Sequence, residues 1–131
     1  MNGNNINIVN LWLKKAQNDL DSAKILGSGR NKILDTAIYH CQQAAEKSIK
    51  AFLIHSRIDF IKTHDLVYLV KLAMGKETDL IFLLDYAVLL TPYSVEFRYP
   101  DDTLEPDIEE FRAALEAASE FLETIKNTID D

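Results

Sequence analysis

Residues 37–53, AIYHCQQAAEKSIKAFL, decide the fold because apolar and polar positions follow one another there with the period of an α-helix. In the longer run that contains them, mostly apolar residues recur every three or four positions. These residues are Leu34, Ile38, Cys41, Ala45, Ser48 and Phe52. The spacing puts them on one face, so it predicts a long central helix from Leu34 to about Ser56.

The same periodicity recurs along the rest of the chain and predicts four more helices. The first three cover residues 8–26, 64–74 and 79–90, and the last has Pro106 in its first turn and an apolar stripe from Ile108 to Ile129. Glycines at 27 and 75 are placed to end the first and third helices, and Thr63 and Thr78 to cap the third and fourth. No segment alternates with the period of a β-strand. The predicted fold class is therefore all-α, an antiparallel up-and-down bundle of four to five helices.

The length and composition indicate one small intracellular domain. A chain of 131 residues has the size of a single domain, which we place over residues 1–131. The lone cysteine, Cys41, allows no intrachain disulfide and fits a reducing compartment. The first residues lack the basic and apolar regions of a signal peptide, and no stretch approaches the roughly 20 apolar residues of a membrane span. We expect a cytoplasmic protein that binds no membrane.

The charges are unevenly distributed along the chain. The net charge of −7 argues against a nonspecific nucleic-acid binder, and hence against DNA, because phosphate binding rests on Lys and Arg. Residues 1–76 nevertheless carry 11 basic and 6 acidic residues, a net of +5, whereas residues 77–131 carry 3 basic and 15 acidic, a net of −12. The basic half would suit an anion. The acidic half would suit a basic partner or would keep the protein soluble.

Helices two and four carry more apolar residues than one core-facing stripe needs. The run LIFLLDYAVLL, residues 80–90, is the clearest example. In a small bundle such a surplus indicates either a dimer interface or a helix that is buried on all sides. The sequence leaves both readings open for both helices.

The familiar catalytic motifs are absent from the chain. No glycine-rich loop precedes a helix in the manner of a phosphate-binding loop, and there is no HExxH pair. The three histidines, His40, His55 and His64, lack the repeated spacing of metal ligands. We therefore predict no metal site and no cofactor, and no reaction follows from the motifs alone.

One polar cluster lies on the predicted central helix. His40, Gln43, Lys47 and Lys50 step three, four and three residues apart and so share one face. Their donors and two cations would suit one wall of a binding cleft. The alternative is a solvated face on which Glu46 and Lys50 form an i,i+4 ion pair.

A second polar cluster lies where the chain turns before the last helix, in PYSVEFRYP, residues 92–100. Tyr93, Arg98 and Tyr99 place a guanidinium among aromatic rings. Arg grips phosphate with two hydrogen bonds and Tyr stacks on a base, which is what nucleotide recognition requires. The alternative is that Tyr99 and Pro100 pack the end of the bundle while Arg98 pairs with an acidic neighbour.

Four segments, in their order and spacing, resemble the HEPN domain, the higher eukaryote and prokaryote nucleotide-binding family. The segments are WLKKAQNDLDSA, YHCQQAAEKSIKAFL, KTHDLVYLV and YSVEFRYP. The resemblance spans almost the whole chain. It implies an up-and-down helical bundle that commonly forms a homodimer. It also implies a gene beside a small nucleotidyltransferase, in some branches as a toxin and antitoxin pair with the HEPN member as the toxin.

Many HEPN proteins are metal-independent ribonucleases marked by an Arg, four to six residues and a His near the start of a late helix. The resemblance would imply proton transfer by the His and phosphate stabilisation by the Arg. This chain departs from the motif because no His follows Arg98. Arg57 and His64 have six residues, IDFIKT, between them, but they lie in the loop that enters the third helix. The spacing matches the nuclease motif and the location does not.

The favoured hypothesis is a noncatalytic, dimeric binding module that partners a nucleotidyltransferase and binds a nucleotide or an RNA segment. The expected ligand-binding residues are His40, Gln43, Lys47, His64, Tyr93, Arg98 and Tyr99. The alternative is a metal-independent ribonuclease that uses Arg57 and His64 as its catalytic pair. A structural adaptor whose dimer surface is its whole function is a third reading.

Overall fold

The computed structural model describes residues 3–94 and 105–130, and their secondary structure is entirely helical. The five α-helices are α1, Gly3–Leu26; α2, Leu34–His55; α3, Leu66–Met74; α4, Leu83–Leu90; and α5, Ile108–Asp130. Short 3-10 turns, Thr78–Phe82 and Thr91–Ser94, flank α4. No strand occurs in the described ranges, which confirms the all-α prediction. None of their helices combines the length and hydrophobicity needed to cross a lipid bilayer.

Helix α2 is the central element of the bundle. It packs against α1, α3 and α5, and thirteen of its 22 residues are buried, so it has neighbours on nearly every side. The predicted core face is confirmed, since Ile38, Cys41, Ala45, Ser48 and Phe52 are buried and Leu34 is partly buried. Further buried apolar residues lie on its other sides: Ala37, Ala44, Ile49, Ala51 and Leu53. The apolar surplus of α2 therefore serves burial within the protein.

The outer helices α1 and α5 follow their predicted stripes closely. Ala16, Leu20 and Ala23 of α1 and Ala118 and Ile125 of α5 are buried in the same hydrophobic cluster as α2. The structure begins α1 at Gly3, earlier than the predicted residue 8. Asn5 is partly buried, residues 6–8 are exposed and Val9 is buried, so apolar periodicity gave no sign of the extra turn.

The caps of α3 and α4 differ from the prediction. The α3 cap is Asp65, whose carboxylate accepts from the backbone N–H of Tyr68 at 3.2 Å, while the hydroxyl of Thr63 accepts from the N–H of Asp65. A carboxylate also interacts favourably with the helix dipole, which favours Asp65 over Thr63. Thr78 caps no α-helix, because the 3-10 turn that it begins leads directly into α4.

The end of α2 explains the backbone of Arg57. Its φ of 58° is left-handed, the N–H of Arg57 donates to the carbonyl of Ile54 at 3.1 Å, and the N–H of Ile58 donates to the carbonyl of Leu53 at 2.9 Å. These two bonds form a Schellman motif, which ends a helix with one left-handed residue. Arg57 therefore occupies a position that glycine usually fills.

Candidate functional site

A buried carboxylate of α1 joins two of the predicted ligand-binding residues. Asp19 is 8% exposed, and its Oδ1 atom lies 2.7 Å from Nδ1 of His40. Its Oδ2 atom accepts from Nζ of Lys47 at 2.5 Å. His40 and Lys47 are seven residues apart, about two helical turns, so one carboxylate from the facing helix reaches both. We call Asp19, His40 and Lys47 the Asp19 cluster.

The sequence pattern did not reveal Asp19 as a member of this site. The residue falls between the core positions Ala16 and Leu20 of an amphipathic helix, where a charged residue usually faces solvent. Periodicity assigns each residue to a face of its own helix, but it does not show which neighbouring helix covers that face. The only sign in the sequence was that the basic row on α2 needed an acidic partner, and Asp19 of α1 is one of the acidic residues that could provide it.

A second buried carboxylate lies on the other flank of α2. Glu46 is 5% exposed, and its Oε1 atom accepts from Nε2 of Gln42 at 3.1 Å and lies 2.9 Å from Nδ1 of His64. Its Oε2 atom accepts from Nζ of Lys50 at 2.9 Å. Lys50 is itself 7% exposed, with its Nζ atom 5.9 Å from the centre of the Phe60 ring. We call Glu46, Gln42, His64 and Lys50 the Glu46 cluster.

The predicted polar row on α2 is therefore divided. The expectation that Lys50 shares the cleft face with His40 and Lys47 is wrong, because Lys50 points to Glu46. In the alternative, the i,i+4 pair of Glu46 with Lys50 is confirmed, but the solvated face is wrong, since both residues are buried. Gln43 donates from Nε2 to Oε1 of Gln42 at 2.7 Å, which connects it to the Glu46 cluster.

The environment of Glu46 lowers its pKa. Burial alone raises the pKa of this carboxyl, but hydrogen bonds from Lys50, His64 and Gln42, together with the charge of Lys50, outweigh it and bring the pKa below the ordinary 4.5. Glu46 is thus an ionised carboxylate at neutral pH. By contrast, burial raises the pKa of the Cys41 thiol to about 12, so Cys41 is a core residue and not a nucleophile.

The remaining predicted residues lie elsewhere. Tyr93 is in the turn Thr91–Ser94, and its hydroxyl donates to Oε2 of Glu110 at the start of α5, 2.9 Å away. Arg98 and Tyr99 fall outside the described residues. Arg57 is exposed at the end of α2. The structure thus brings His40 and Lys47 together and places His64 in a separate cluster.

Each cluster fixes the orientation of its own histidine, His40 beside Asp19 and His64 beside Glu46. An ionised carboxylate only accepts hydrogen bonds, so Nδ1 of His40 and Nδ1 of His64 carry the protons that face Asp19 and Glu46. In a neutral ring the lone pair is then at Nε2. The His64 side chain is 60% exposed, so it is open to a ligand. Among the described residues, no group of three or more His, Cys, Asp or Glu side chains is arranged to hold a metal ion.

Comparison with known proteins decides the family. The model of the HEPN domain matches residues 9–128. The chain belongs to the HEPN family. This HEPN chain is 30% identical over 105 residues to a Methanocaldococcus jannaschii protein that is named as a candidate toxin, MJ1304. The alignment covers 76% of this chain and 68% of that relative.

Two crystal structures share the fold. An archaeal HEPN homologue, ST0689, has a TM-score of 0.73 and 26% identity, with 92% of this chain and 97% of that one covered. TT1696 from Thermus thermophilus has a TM-score of 0.75 and 25% identity, with 91% and 96% covered. The resemblance inferred from the four sequence segments is confirmed.

The Glu46 cluster predicts a large and pH-dependent contribution to stability. Glu46→Gln leaves the buried ammonium of Lys50 without its counter-charge, and we expect a loss of about 3–5 kcal/mol in the free energy of unfolding at neutral pH. Because folding lowers the pKa of Glu46, this contribution is present above the ordinary carboxyl pKa and disappears as pH falls through the lower, folded value. Urea unfolding of the wild type and of Glu46→Gln, repeated from neutral to acidic pH, measures this contribution to the free energy of unfolding.

The wild-type and Glu46→Gln curves are expected to converge as the pH falls below 4.5. Glu109→Gln provides the matched control, because Glu109 is 77% exposed and its pair with Arg112 lies in solvent. A Glu46→Gln protein as stable as the Glu109→Gln control at neutral pH would contradict a buried, charged Glu46.

Proposed function

We propose that this HEPN protein is a single-domain, dimeric binding module of the cytoplasm that pairs with a small nucleotidyltransferase and binds a nucleotide or an RNA segment. The observation that carries the proposal is the pairing of the cations on α2 with buried carboxylates, Lys47 with Asp19 and Lys50 with Glu46. Side chains held in this way form a rigid surface that suits recognition. The toxin name of the M. jannaschii relative supports a toxin–antitoxin-like setting.

The proposed contacts are the residues expected from the sequence. They are His40, Gln43, Lys47, His64, Tyr93, Arg98 and Tyr99. Lys47 is the best placed for an anion among those in the described ranges, since an ammonium has three donors and Asp19 accepts one of them. The exposed ring of His64 offers a further polar group.

The apolar surplus of α4 supports the dimer. Ile81, Phe82, Val88 and Leu89 are 57%, 47%, 63% and 37% exposed, and their spacing places them along one side of the turn and helix that contain them. Exposed apolar residues in such a row are typical of protein interfaces. Of the two explanations for an apolar surplus, a dimer interface therefore suits α4, whereas burial within the protein explains α2.

A charge within this row of exposed apolar residues is expected to separate the subunits. Val88→Asp places a carboxylate in the proposed interface, where burial without a partner is costly, so sedimentation equilibrium is expected to show monomers. Ile25→Asp is the matched control, because Ile25 is an exposed apolar residue of α1, and it is expected to leave the dimer intact. A wild-type monomer at all concentrations, or a dimer unaffected by Val88→Asp, would refute this part of the proposal.

One observation favours the ribonuclease alternative. Glu46 accepts from Nδ1 of His64, and a carboxylate in that position is how enzymes orient a histidine that transfers protons through Nε2. Arg57 is the accompanying cation in this alternative, with its backbone set by the Schellman motif. The pair would act on the 2′-hydroxyl and on the phosphate of RNA.

Incubating the pure protein with cellular RNA in EDTA separates the two functions, and a binding module is expected to leave the RNA intact. Cleavage that is lost in both His64→Ala and Arg57→Gly, and kept in His55→Ala, would establish the ribonuclease instead. Arg57→Gly is a suitable variant because glycine adopts a left-handed φ without steric cost, so the variant is expected to fold at least as stably as the wild type.

A further inference from the structure

An open groove runs beside the Asp19 cluster, between α1 and α2. Its volume is about 470 Å³, within the roughly 300–1,000 Å³ of small-molecule sites. Leu11, Trp12 and Lys15 of α1 line it together with Lys47 of α2. Trp12 is the only tryptophan of the chain. Three of these four residues are outside the set expected from the sequence, and Lys47 connects the groove to that set.

The groove carries one cation in excess. The ammonium of Lys47 is paired with the carboxylate of Asp19. Lys15 is exposed and forms no ion pair within residues 3–94 and 105–130. An anion in the groove would therefore gain a direct contact with Lys15 and would share Lys47 with Asp19.

The remaining surface of the groove is aromatic and aliphatic. An indole next to an ammonium suits a ligand that has a flat ring and a phosphate, since base stacking on an aromatic side chain and phosphate binding by Lys are the two elements of nucleotide recognition. A second copy of the same face fits poorly, because a symmetric contact would bring four lysines together. A groove between α1 and α5, of about 380 Å³, contains Glu123 and no aromatic lining residue, so it lacks the stacking surface.

We propose that this groove binds one nucleotide unit, with its base on Trp12 and its phosphate between Lys15 and Lys47. The inference rests on the proposed nucleotide or RNA binding and gives it a location. The same unit occurs in a free nucleotide and in single-stranded RNA, so the chemistry is shared by both sources. Asp19 holds Lys47 in place and is a positioning residue for the site.

The fluorescence of Trp12 tests the inference directly, because it is the only indole in the chain. Titration with AMP is expected to quench it saturably, while adenosine and ribose 5-phosphate, which lack the phosphate or the base, bind more weakly. Lys15→Ala is expected to weaken AMP binding roughly ten-fold, the effect of losing a charged hydrogen bond. Lys14→Ala is the matched control, since it removes the neighbouring exposed charge outside the groove.

Calorimetry with Trp12→Leu completes the test, because leucine keeps an apolar residue and removes the ring. Binding at least roughly five-fold weaker is expected from the lost stacking. A short oligoadenylate RNA that saturates the protein at lower concentration than AMP would identify RNA as the source, and the opposite order would identify the free nucleotide. Nucleotide binding unchanged in both Trp12→Leu and Lys15→Ala would overturn the groove and leave the proposed function standing. If neither AMP nor the oligoadenylate bound, both the groove and the proposed nucleotide or RNA binding would be overturned.

Discussion

The burial of α2 on nearly every side is the constraint on which the structure depends. A central helix with only apolar side chains would need no hydrogen-bond or ion-pair partners for them. The buried residues of α2, however, include Gln42, Glu46 and Lys50. Buried polar and charged groups are tolerated only when they are paired, because their desolvation otherwise costs several kcal/mol. The Glu46 cluster provides that pairing on one flank of the helix, and on the other flank the Asp19 cluster pairs the buried Asp19 of α1 with α2. They also join α2 to α1 and to the loop that precedes α3.

This pairing fixes the side chains of the proposed binding surface. His40 and Lys47 are held by one carboxylate, and His64 by another, so their positions are set before any ligand arrives. Preorganised donors of this kind reduce the ordering cost of binding. The same geometry would also serve proton transfer by His64, which is why orientation alone does not distinguish a binding module from a ribonuclease. The groove at Trp12 adds the flat apolar surface that the two clusters lack.

Much of the fold was predictable, because the 3.6-residue period directly reports which side of each helix is apolar. The core positions of α1, α2 and α5, and the family, follow from that pattern and from four short segments. The clusters were not predictable, since they depend on contacts between helices. A glutamate and a lysine four residues apart look alike whether solvent or protein covers them, and Asp19 looked like a solvent-facing residue. The predicted cap at Thr63 failed because Asp65 makes the capping hydrogen bond, and the predicted cap at Thr78 failed because a 3-10 turn leads directly into α4.

The central claim is that carboxylates inside the protein hold the polar residues of α2, and a double-mutant cycle tests it most directly. Asp19→Asn, Lys47→Met and the double variant are compared with the wild type by urea unfolding, alongside the same cycle for the exposed pair Glu109 and Arg112. We predict a coupling free energy on the order of 1 kcal/mol or more for Asp19 with Lys47, and almost none for the exposed pair. A coupling of zero between Asp19 and Lys47 would contradict the account.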